Sequence, residues 1–263
     1  MKRSFILFLF CIALPVAVSA AGGNGRGLTI GEARQMAWIF DSVPGPYRGV
    51  MISFHGLNNT RLREAPSSEE KMLAEKGYLI VYPYCGPWHW MNRQAREMVD
   101  GIVDAVYEAY GIPDSIPLVT TGGSMGGFCA ILYTRYARRP VSACVANCPV
   151  TDIKYHFTER PDLPRTFRCA YWGYGNTFEE SMTEHNPMDQ VREIPDIPFF
   201  IMQTSGDRSV SKVHHADRFV KAMRESGHRH VIYKEIEGGR HCGPIPAGIR
   251  QEKMDFLFRV LER

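Results

Sequence analysis

The chain has 263 residues, 44% hydrophobic and 22% charged, and a formal net charge of +3. This is an ordinary globular composition on a length that buries a core without disulfide or metal support, which excludes disordered, collagen-like and repeat architectures. The charge is too near neutral for a general attraction to nucleic acid or anionic lipid, so neither is expected as a partner.

In chain order, "MKRSFILFLFCIALPVAVSA" has a basic start, an apolar stretch too short for a membrane span, and small residues before Ala20. Residues 1–20 therefore read as a secretory signal peptide, and 21–263 as one exported domain, periplasmic or secreted, free of the membrane after cleavage. Losing Lys2 and Arg3 leaves a net charge of +1. Strands are predicted at 49–56, 78–83, 116–122, 141–147, 198–204 and 230–237, as short apolar runs ended by turn residues. Helices are predicted at 67–77, 96–111, 125–138, 212–227 and 248–263 from serine caps, glycine stops and 3.6-residue apolar spacing. Some forty residues after 147 read as irregular. Strand and helix alternate throughout, so the expected fold class is three-layer α/β, a mostly parallel sheet with helices on both faces.

Between the strand at 116–122 and the next helix stands Gly122-Gly123-Ser124-Met125-Gly126. A serine in so tight a strand-to-helix turn projects its oxygen above the sheet, at the positive end of the helix dipole. Glycines on either side relieve the crowding that such a turn creates. The pentapeptide and its setting resemble the α/β-hydrolase superfamily over about residues 48–263. The resemblance implies a nucleophile, acid and histidine in that chain order. Ser124 is the nucleophile, Asp207 in "TSGDRSV" the acid, and His241 in "EGGRHCG" the base. Asp152 in "CPVTD" is the alternative acid. A serine hydroxyl needs a neutral imidazole to take its proton, and that imidazole needs a carboxylate to fix its tautomer.

The N–H of Met125 is one expected oxyanion donor. "SFHGLNN" is similar to the superfamily's HG turn and points to Leu57 as the second, with His55 shaping the pocket. Substrate contacts are expected from "YCGPWHWMNR" (84–93) and from a small lid insertion at about 151–195. Trp88, Trp90, Tyr171 and Trp172 are the candidates to stack on a flat group such as a sugar ring. "GGSMGGF" with "HNPMDQVREIPDIPFFIMQTSGDRSV" resembles two branches of the superfamily, exported carbohydrate esterases and prolyl-oligopeptidase-like peptidases.

The expected activity is hydrolysis of carboxylic esters through an acyl-enzyme, on a small-molecule or oligosaccharide substrate. A peptidase is the alternative, and a non-catalytic binding scaffold the third possibility. No cofactor and no metal are expected, because the cysteines contain no CxxC spacing. Cys85 and Cys242 are expected at the same rim, where they could pair as a disulfide. Activity is expected to rise with pH as the imidazole loses its proton near the reference value of ~6.5.

Overall fold

The computed structural model describes residues 27–262; the expected signal peptide lies outside them. Among the described residues no helix is long and apolar enough to cross a membrane. The chain opens with α1 (Ile30–Met36) and β1 (Ala37–Phe40), followed by β2 (Gly49–Phe54), α2 (Ser68–Glu75) and β3 (Tyr78–Pro83). Then come α3 (Arg93–Ala109), β4 (Leu118–Gly123), α4 (Met125–Tyr136) and β5 (Val141–Asn147). Three short helices follow, α5 (Ile153–Glu159), α6 (Leu163–Ala170) and α7 (Phe178–Glu184). The last part holds β6 (Phe199–Thr204), a wide π-type turn at Val213–Asp217 running into α8 (Arg218–Glu225), β7 (Val231–Ile236) and α9 (Ala247–Val260).

The seven strands form one sheet in the order β1-β3-β2-β4-β5-β6-β7. Only β1 runs antiparallel, against β3; every other pairing is parallel. Parallel neighbours need crossovers, and these helices cover both faces, so central strands are apolar on both sides. The period of two in a strand divides them between two cores. Val50, Ile52 and Phe54 belong to one core with Val99 and Ile102 of α3, Phe128 and Ile131 of α4, and Phe219 of α8. Met51 and Ile80 face the other way, onto Leu73 of α2 and Met254 and Leu257 of α9. The mostly parallel three-layer class is as the alternation of elements predicts.

Two parts of the sequence expectation need correction. The stretch after residue 147 is not irregular: it holds α5 to α7, joined by buried Leu163, Phe167 and Met182. Helices of seven or eight residues are too short for a 3.6-residue period to show. The start of α7 was nonetheless written in the sequence as a capping box, Thr177 with Glu180. The same device, Thr29 with Glu32, opens α1, a helix absent from the predicted elements.

The turn from β4 into α4 lies under two backbone contacts. A Cβ on Gly122 would fall 2.4 Å from the Gly126 carbonyl oxygen, and one on Gly126 would fall 2.2 Å from the carbonyl oxygen of Phe54. Neither obstacle is the end of a flexible side chain. Gly126→Ala is therefore expected to cost the upper end of the usual ~1–3 kcal/mol for overpacking. At about 2–4 °C per kcal/mol for a domain this size, Tm should fall by roughly 6–12 °C. An unchanged Tm by calorimetry would mean that the helix can move away from β2.

Candidate active site

Parallel strands deliver their following loops to one edge of the sheet, and the predicted residues gather there. Ser124 joins β4 to α4 with φ +59° and ψ −126°, left-handed backbone that a non-glycine residue adopts only at a cost of ~1–3 kcal/mol. Its N–H donates to the Asn147 carbonyl at 2.9 Å, which ties the turn to the end of β5. Ser124, His241, Leu57, Trp90 and Val210 line one cleft of about 500 Å³, together with Arg63, His156 and Arg160.

Asp207, in the turn after β6, is fixed from several sides. One carboxylate oxygen accepts from the N–H groups of Ser209 and Val210 at 2.8 and 3.0 Å. The other meets His241 Nδ1 at 2.6 Å and accepts from the Gln203 side-chain amide at 3.0 Å. Burial would raise the Asp207 carboxyl, but the His241 bond and those two N–H donors outweigh it and hold it below the usual range. With Nδ1 turned to a carboxylate, the nitrogen of His241 available to act as a base is Nε2, which lies beside Cys242. Among the described residues no hydrogen bond joins His241 to Ser124 Oγ; the two share the cleft. In such sites this bond commonly tightens only around substrate.

Two cysteines crowd the same ring. Cys242 Sγ lies 3.8 Å from His241 Nε2 and 3.6 Å from the Asn147 carbonyl oxygen. Hydrogen bonding from Cys242, against burial, pulls the Cys148 thiol below its ordinary range, and His241 adds to the pull. Burial opposes charging of the His241 ring, but Asp207 and Cys148 outweigh it and hold its pKa at about 9. A base must be neutral to accept a proton. If His241 is that base, kcat/KM should keep rising with pH towards about 9, not level off near ~6.5 as the sequence alone suggests. A pH profile already flat above ~7 would contradict that placement of the ring.

The Met125 N–H is in the first turn of α4, where it has no intrahelical acceptor. In the loop after β2, the Asn58 N–H is taken by the Pro87 carbonyl at 3.1 Å. Among the described residues the Leu57 N–H has no acceptor, and Leu57 lines the cleft. His55 is buried beside Tyr84 and His89, with Nδ1 on the Gly56 carbonyl and Nε2 unpartnered. Burial lowers its pKa, so it is a neutral ring supporting the loop.

The four proposed stacking aromatics separate. Trp90 lines the cleft, with its indole N–H on Thr166 and its ring on Phe167. Trp88 bonds Asn58 and carries the Arg165 guanidinium over its ring. Tyr171 is buried and donates to the Trp90 carbonyl, so it packs α6 and presents no stacking face. Trp172 is 85% exposed, on a separate groove with Tyr174 and Phe178. The structure thus brings Trp90 to the cleft and leaves Trp88, Tyr171 and Trp172 out of its lining.

Asp152, the alternative acid, instead caps α5 through the Tyr155 N–H and pairs with Arg218. Cys85 and Cys242 are not partnered as expected: both are free thiols, and the thiol beside Cys242 is Cys148. Sequence reasoning missed Arg63 and Arg160, which reach the cleft only through tertiary packing; His156 comes from the lid insertion where substrate contacts are expected. It missed Cys148 as well.

Among the described residues, two side-chain clusters carry metal-type ligands, Cys148–His241–Cys242 and His156–Glu159–His215. The second is closed on itself. His156 and His215 share one Glu159 oxygen, His215 at 2.9 Å, and His215 Nδ1 accepts from the N–H groups of Thr151 and Asp152. Ligand atoms at hydrogen-bond distance leave no space for an ion.

A model of the prolyl oligopeptidase family matches residues 89–261. Among solved structures, the chain is similar to a puromycin-hydrolyzing peptidase of Mycobacterium tuberculosis, with a TM-score of 0.68 and 17% identity over 86% of this chain and 36% of that one. It is similar to an acylaminoacyl peptidase of Pyrococcus horikoshii at a TM-score of 0.69 and 14% identity, over 86% and 39%. An open-form lipase has a TM-score of 0.57 and 16% identity, over 86% and 94%. These likenesses show the α/β-hydrolase fold. The chain spans well under half the length of the two peptidases. No curated protein matches it.

Proposed function

Because this chain belongs to the prolyl oligopeptidase family, we propose that it is a serine peptidase that hydrolyses short peptide or aminoacyl amide bonds. The observation that carries the catalytic part is one cleft holding Ser124, on its strained turn, and His241, bonded at 2.6 Å to Asp207. In this mechanism His241 Nε2 takes the Ser124 proton as Oγ attacks the carbonyl carbon. The N–H groups of Met125 and Leu57 stabilise the oxyanion. His241 then gives the proton to the leaving amine, and a water molecule, deprotonated by the same ring, releases the acyl group and restores Ser124.

The sequence expectation set esters ahead of amides. Family membership supports the reverse order, and Trp90, the one of the four aromatics that borders the cleft, is fully buried against Phe167 and offers no open face to a sugar. Comparing an aminoacyl anilide with p-nitrophenyl acetate tests this. The anilide is expected to be cleaved, and that cleavage lost in Ser124→Ala. Turnover of the acetate and of acylated sugars without any anilide cleavage would return the assignment to the esterase. Action after export is supported by the composition of residues 1–20; sequencing the secreted chain should find Ala21 as its first residue.

A further inference from the structure

We propose that Cys148, Cys242 and His241 bind a thiophilic divalent cation, Zn2+ foremost, and that its occupancy shuts the hydrolase off by taking the nitrogen needed as base. The two Sγ atoms and one ring nitrogen of His241 all lie within 4.8 Å of one another. The Cys242 Sγ to His241 Nε2 distance is 3.8 Å. Tetrahedral zinc, with ~2.3 Å bonds to sulfur and ~2.0–2.1 Å bonds to nitrogen, separates its ligand atoms by about 3.6–3.8 Å. The contact is therefore too long for a strong hydrogen bond and close to what a shared ion requires.

Two further observations support the site. His241 turns Nδ1 to Asp207 at 2.6 Å, the carboxylate–imidazole arrangement that orients a histidine and strengthens it as a metal ligand. Finally, His241 and Cys242 line the cleft, so an ion can enter from it and keep its fourth position open to water. Two thiolates and an imidazole are a soft donor set, suited to zinc over magnesium or calcium. The ion would act as a reversible inhibitor; the hydrolytic step proposed above does not use it.

Binding is independent of the peptidase proposal, whereas the loss of activity rests on it, so the two are measured apart. With the reduced, metal-free full chain, Co2+ is expected to give tetrahedral d–d bands with thiolate-to-cobalt charge transfer, displaced by Zn2+. Ser124→Ala should keep that spectrum although it lacks hydrolysis. Outer partners of a metal site alone are worth ~10–100-fold in affinity, so losing a ligand in Cys148→Ser or Cys242→Ser should weaken Zn2+ binding at least ~100-fold. Inhibition of the wild type by Zn2+ should reverse with a chelator. An octahedral cobalt spectrum without charge transfer, or either variant binding Zn2+ as tightly as wild type, overturns the site. Tight binding that leaves hydrolysis unchanged overturns the shut-off alone.

Discussion

Ser124→Ala is expected to lower turnover by at least ~10³-fold, by the measure of other serine triads. The loss should fall on kcat with little change in KM, because Oγ forms its bond only as the reaction proceeds. Ser124 sits at φ +59°, where alanine is no more strained than serine, and the surrounding glycines are untouched. The variant should therefore fold as the wild type does, and an equal Tm would separate chemistry from stability. A fluorophosphonate should label the wild-type chain at Ser124 and leave the variant unlabelled. Substantial turnover by Ser124→Ala, or labelling elsewhere, would remove the serine mechanism. The crowded thiols of Cys148 and Cys242 beside the same ring would then become the nucleophiles to test.

Asp207→Asn is expected to cost ~10³–10⁴-fold, with the fold again intact. One oxygen of the side chain still accepts from the Ser209 and Val210 N–H groups. The other position becomes an amide N–H, to which the Gln203 amide can turn its unpartnered oxygen; it faces His241 Nδ1, which must then accept, leaving the proton on Nε2, where Ser124 needs an acceptor. The loss should ease as pH rises far less than a simple pKa change would allow, because the tautomer is wrong at every pH. Asp152→Asn is the control. Asparagine caps a helix as well as aspartate, so α5 should survive and turnover should stay near wild type. A dead Asp152→Asn beside an active Asp207→Asn would exchange their roles.

These expectations differ in how far the chain's own residues carried them. Gly122 and Gly126 on either side of Ser124 were legible in the sequence because a turn that brings backbone within 2.4 Å of a missing Cβ admits no other residue. Asp207 and His241 were legible for a related reason: each follows a predicted strand, and a parallel sheet presents all such loops on one edge. Leu57 was placed by its glycine neighbour. The aromatics were not legible in the same way. Trp90, Tyr171 and Trp172 have similar side chains in similar loops, and only the packing of α6 on the 84–93 loop decides that the first two are buried, Trp90 at the wall of the cleft, and the third faces solvent.

By itself the sequence determined the local matters, where the backbone can turn, which runs alternate with a period of two or near 3.6, and which residue types could share a proton. It thereby specified the sheet, the elbow and the order of the candidate triad. Tertiary structure alone decided what stands beside His241. Cys148 directly follows β5 and Cys242 comes after β7, nearly a hundred residues later, and no spacing rule links them. They meet because β5 and β6 are neighbours in the sheet and the turns beyond β5 and β7 fold back over the same edge. Proximity across a crossover is set by the packing of whole elements, which local pattern does not encode.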